Sequence, residues 1–299
     1  MIRILAATTL ALAAPLVAHA QDAPPAEPAM PADLADRSAQ AREAEATARI
    51  MADVQMASAI AQRQYAGMTG GEFGDGYRGA VAFPADTLGV WNVTIVAARG
   101  EGAQAPLVAL GEYEIAQGQI LSETLHDAAS APALTGIAEQ MARAKYVAPR
   151  AVISAPSASY CLDGEPADPK ANHSVSYIPI VLPPSDDGKL VAYVLNGPIA
   201  EGAVPLGKHY RVSFDEFGQV GDPEIVTDTC EVVTWNGDEA DLSNKVYLTQ
   251  FEQGTAPTVI HSFISSQLPM RLGVVTGDIV WLMADGMAAP PVPFVDEGS

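Results

Sequence analysis

Between Leu88 and Met287 the chain repeatedly places a run of β-branched and aromatic residues against a turn too short to hold a helix, and this restricts the fold most. "SVSYIPIVL" (174–182) and "KLVAYVL" (189–195) are separated only by "PPSDDG", where Asp187-Gly188 is a tight-turn pair. "KHYRVSFD" turns at "EFGQ" and returns through "VGDPEIV", and "DIVWLMADGM" carries another Asp-Gly turn near the end. Upstream, "VWNVTIVAA" (90–98) and "PLVALGEYEI" (106–115) read the same way. Strands joined so closely pair antiparallel, because a parallel crossover needs a dozen or more residues. With no repeating strand-helix-strand order, the expected class is α+β: mainly antiparallel sheet built of meanders and hairpins, one internal helix and a long N-terminal helix.

The long helix is expected from Asp33 to about Tyr65, a stretch rich in Ala, Glu, Arg, Gln and Met and free of Gly and Pro. Met51, Val54, Ala57, Ala61 and Tyr65 fall at three- and four-residue spacings, so the second half has a docking stripe. The first half is Ala and charge, with Glu45 one turn before Arg49, and is expected to project. The internal helix is expected over 133–146, where Leu134, Ile137, Met141 and Ala144 share a face, Ser130 can cap and Pro149 stops it. The resulting division is a signal segment (1–20), a proline-rich tether (21–32), a helical arm (33–66), a glycine-rich hinge (67–87), an α+β domain (88–288) and a proline-rich tail (289–299). The hinge has six glycines between Gly67 and Gly79 and lacks the Gly-Lys-Ser/Thr of a phosphate cradle.

Residues 1–20, with Arg3, an apolar run from Ile4 to Val17 and small residues at Ala18 and Ala20, have the layout of a cleavable export signal, so cleavage is expected after Ala20 and the product in a periplasmic or secreted location. The run is too short for a membrane span. Cleavage removes one cation and takes the formal net charge from −20 to −21. So anionic a chain, with its Lys and Arg residues scattered, repels nucleic acid and anionic lipid. In an oxidising compartment its two cysteines, Cys161 and Cys230, are read as one disulfide; without CxxC spacing or an adjoining basic residue they do not resemble a redox pair.

Candidate chemistry is sparse. As a strand, "HYRVSFD" sends Tyr210, Val212 and Phe214 into a core and His209, Arg211, Ser213 and Asp215 to solvent, where His209 and Arg211 are binding candidates. "TVIHSFI" reads as a central strand buried on both faces, with His261 either a satisfied core histidine or a general base; Ser262, facing the other way, is not its partner. His126, His173, His209 and His261 lack metal-ligand spacing, "NGDEADLSN" departs from the EF-hand order, and no GxSxG elbow occurs, so neither metal nor other cofactor is expected and no catalytic residue is assigned. Trp91, Trp235 and Trp281 are expected in the core, with exposed stacking platforms as the alternative. "YEIAQGQI" (113–120) resembles "YRVSFDEFGQV" (210–220), either a repeated hairpin or common turn chemistry. The function expected is a non-catalytic ligand- or partner-binding accessory protein of the periplasm or envelope. The alternatives are an exported hydrolase using carboxylates or His261, and an envelope component oligomerising through residues 33–65.

Overall fold

The computed structural model describes residues 30–74, 76–102, 104–162, 165–167, 175–197, 199, 202–236 and 242–294. The signal segment, most of the tether, the end of the tail and residues 237–241 of "NGDEADLSN" lie outside them.

The protein is α+β, with three helices and mostly antiparallel sheet among the described residues. Helix α1 (Leu34–Met68) is followed by β1 (Tyr77–Pro84), β2 (Val90–Ala98), β3 (Leu107–Ala116) and β4 (Gln119–Leu125), a four-stranded meander in that order. After α2 (Gly136–Ser154) and the small pair β5 (Tyr160–Leu162) and β6 (Glu165–Ala167) come β7 (Tyr177–Val181), β8 (Leu190–Asn196), β9 (Ala203–Pro205), β10 (His209–Phe214) and β11 (Glu224–Thr227). The second four-stranded sheet runs β11-β10-β8-β7, while β9 pairs with β12 (Val232–Thr234). A third sheet joins β13 (Val246–Gln250) in parallel to β14 (Arg271–Thr276), then β15 (Ile279–Ala284), β16 (Met287–Ala288) and β17 (Val292–Pro293), with α3 (Val259–Ser265) linking β13 to β14.

Two apolar clusters hold the layers together. Alternation along β1 sends Ala80 and Ala82 toward α1 and Val81 toward α2. Helix α1 covers one face of the first sheet and, through Tyr193 and Leu195, of the second. Helix α2 places Met141, Ala144, Ala148 and Val152 against Val96, Ala192, Val194 and Phe214 on the other face. Cys161 and Cys230 form a disulfide, Cα atoms 5.4 Å apart, tying β5 to the segment before β12.

Several expectations are corrected. The first half of α1 does not project: Ala41 and Ala48 are buried, and the Glu45 carboxylate accepts the Ala288 N–H at 2.7 Å. Small alanine side chains let the helix approach closely and make no large-residue stripe to read. The expected hinge contains β1, disguised by Gly79, which has φ +93° at an irregularity in the β1–β2 register. Helix α2 begins at Gly136, after an extended Thr135, rather than at Ala133 with Ser130 as its cap, and it passes through Pro149 to Ser154. There Arg150 Nη1 donates to the Tyr146 carbonyl at 2.7 Å, and buried Ala148 and Val152 keep the last turns docked. "TVIHSFI" is helix α3, not a strand: every residue from Val259 to Ser265 is buried, so no amphipathic period marks it, and its β-branched residues imitate a strand. His209 is fully buried instead of facing solvent, because the face of β10 opposite Tyr210 is also covered, whereas Arg211 and Ser213 are only half-buried.

Candidate functional site

The residues singled out in the sequence separate into two kinds. His209 and His261 are interior. His209 Nδ1 accepts the Asn196 N–H at 2.9 Å, which leaves Nε2 to donate to the Pro205 carbonyl at 3.1 Å. Burial pushes its pKa down to about 4, against the smaller opposing effect of that carbonyl. His261 caps its own helix: Thr258 N–H donates to Nδ1 at 3.0 Å while Thr258 Oγ1 faces the His261 N–H, a capping box with histidine in the place of glutamate. Burial, and then repulsion from His209, lowers His261 to about 3, so both rings are neutral at pH 7. Ser262 Oγ is buried without a hydrogen bond, so no serine–histidine pair forms beside it. The pattern Thr-x-x-His was the signal for α3.

Arg211 belongs to a different setting. It sits opposite Tyr193 on β8 and its Nη1 meets Glu224 at 3.1 Å. The Tyr193 hydroxyl is pushed up by burial, partly offset by the guanidinium of Arg211, with Glu224 and Glu43 of α1 also acting on it. This group stands beside an open depression of about 440 Å³ between α1 and the second sheet. Gln40, Glu43, Ala44 and Thr47 form one wall; Tyr193, Ile225 and Val226 form the other; Phe251 and the segment 253–259 close the end. Residues adjacent along a strand face opposite ways, so Ile225 and Val226 both lining it means that the depression reaches the edge of β11. β11 is the terminal strand of its sheet.

A second depression, about 420 Å³, shares Phe251, Gly254 and Thr255 with the first and continues to Arg37, Thr276 and Phe294. Arg37, Gln40, Ala44 and Thr47 follow helical spacing, so the two make a trough along roughly 15 Å of α1 at 1.5 Å per residue. Gly254 is required here: a Cβ would lie 2.8 Å from the Phe251 ring. That ring packs edge-on to His261, centroids 4.9 Å apart, and separates the imidazole from the trough.

Comparison of the chain with protein-family models, curated proteins and solved structures finds no match. The site therefore rests on its own geometry. Among the described residues no group of three or more His, Cys, Asp or Glu side chains stands close enough to hold a metal. Of the residues singled out in the sequence, Arg211 stands near the trough without lining it; Tyr193, Phe251 and Glu43, which line it, come together only through the docking of α1. The one local sign was the Gly- and Pro-containing loop "FEQGTAP" preceding α3. Of the tryptophans, Trp281 is buried with its indole N–H donating to Thr276 Oγ1 at 2.9 Å, and Trp91 and Trp235 pack half-buried against the core.

Proposed function

We propose that the protein is an exported, non-catalytic binding accessory whose trough takes an extended segment of a partner protein. The observation that carries this reading is the pairing of a helix wall with the edge strand β11 across an open depression lined by both polar and apolar side chains. An edge strand presents unpaired backbone groups that an extended peptide satisfies by adding a strand, while alternate side chains settle on the floor. A trough of roughly 15 Å spans four or five extended residues. Glu43 and Glu252 line it, Arg211 is paired with Glu224 and Arg37 with Asp33, so its field favours a neutral or basic segment. Export rests on the N-terminal sequence pattern together with the disulfide.

The test is selection of a displayed heptapeptide library on the processed protein. Enrichment of extended basic peptides is expected, with affinity falling at least about tenfold in Ile225→Asp and unchanged in Leu121→Asp on β4. Both side chains are substantially exposed, so neither variant threatens the fold. No enrichment, or enrichment indifferent to Ile225→Asp, refutes the proposal.

A further inference from the structure

On the α2 side of the second sheet, away from the trough, lies a more enclosed cavity of about 330 Å³. Its floor is Ala144, Val147, Leu190 and Phe214, and the β7–β8 and β10–β11 turns form its lip. Phe217, at the tip of the second turn, is 79 % exposed. It is held there: Asp215 Oδ1 accepts the N–H groups of Phe217 at 3.0 Å and Gln219 at 2.8 Å, and Gly218 closes the turn at φ +77°. The turn backbone so fixed carries the Phe217 ring beside an apolar recess, within reach of a flat guest.

The charges on the walls choose among guests. Arg143 is neutralised by Glu139, whose Oε1 accepts from Nε at 3.0 Å and Nη2 at 2.8 Å. Lys189 is paired with Asp187 at 2.6 Å. Asp215 and Glu216 on the lip leave the cavity facing net negative charge, which repels carboxylates and phosphates. The amides of Gln104 and Gln140 add neutral hydrogen-bonding groups. The volume is at the small end for ligand sites and suits one or two fused rings.

We infer that this cavity binds a small aromatic ammonium compound, its ring between Phe217 and the Val147–Phe214 floor and its cation toward Glu216. A protonated amine gains from the carboxylate and from the faces of the two phenylalanines. The inference is independent of the trough.

Calorimetric titration of the processed protein with tryptamine, indole and indole-3-acetate tests it, because the three share a ring and differ in charge. Tryptamine is expected to bind most tightly and the acetate most weakly. Phe217→Ala, an exposed site that leaves the fold alone, should weaken tryptamine about fivefold to tenfold. Glu216→Gln should narrow the preference for tryptamine over indole, and Val147→Trp should fill the recess and abolish binding of both. Failure of tryptamine to bind at about 1 mM, equal binding of the acetate, or indifference to Phe217→Ala overturns the inference.

Discussion

Replacing Lys145 by methionine should change how stability depends on pH in a way that follows from one contact. Lys145 leaves α2, and its Nζ donates to the Ala80 carbonyl of β1 at 2.6 Å. Burial lowers its pKa from 10.5 to about 8. Between those values the unfolded chain binds more protons than the folded one, so stability rises with pH across that window. Below pH 8 the folded state carries the whole penalty, about 3 kcal/mol at 1.36 kcal/mol per tenfold change. By pH 10 most of it is gone. Methionine keeps the apolar stem without the charge, so the difference in unfolding free energy between variant and parent should move about 2 kcal/mol in the parent's favour from pH 7 to pH 10. The lost bond to Ala80 adds a constant offset of about 1 kcal/mol and leaves the slope intact. Urea denaturation of both proteins at unit pH intervals, disulfide intact, reads this directly. Common titrations, including those of the buried tyrosines, cancel in the difference. A difference constant from pH 7 to pH 10 refutes the reasoning.

Acid should destabilise through His209: its folded pKa of about 4 is below the ordinary 6.5, so its contribution is complete above pH 6.5 and is lost as pH falls to about 4. That loss approaches about 3 kcal/mol, and His209→Gln should reduce the slope of the urea-midpoint profile over the same stretch, leaving the share that His261 contributes. Cys161→Ser with Cys230→Ser opens a loop whose ends are 69 residues apart and should cost about 4 kcal/mol, with a matching effect of reductant on the parent alone. Gly207→Ala would set a Cβ 1.9 Å from the Thr229 carbonyl, beside the disulfide, and should cost about 2 kcal/mol or more by thermal melting. A melting point unchanged by Gly207→Ala would mean that this close approach relaxes freely.

How much of this architecture was legible depends on whether the deciding contacts were local. Turn chemistry is local, and it read well: β2 has the expected bounds, and the second Asp-Gly pair turns at Asp285 and Gly286, φ +51° and +81°. These positive values suit a two-residue hairpin, and few residues other than Asp and Gly accept them. Burial on all sides is not local. It erased the period of α3, and it made His209 a core residue although its sequence neighbours alternate as in a half-exposed strand.

The likeness between "YEIAQGQI" and "YRVSFDEFGQV" separates these two kinds of information. Both stretches close the third strand of a four-stranded sheet onto the next, β3 onto β4 and β10 onto β11, with Gly118 and Gly218 at φ +76° and +77°. Yet Tyr113 packs in the cluster under α1, and Tyr210 in the cluster under α2. The resemblance thus lies in the hairpin, where glycine is demanded by backbone conformation, and stops where packing begins. Both candidate sites are beyond that point. The trough exists because α1, more than 120 residues upstream of β8, lies across the edge of the second sheet, and the enclosed cavity exists because α2 lies under two turns. Neither can be read from one element, since each wall is ordinary alone: a polar helix stripe, an edge strand, an exposed phenylalanine on a turn.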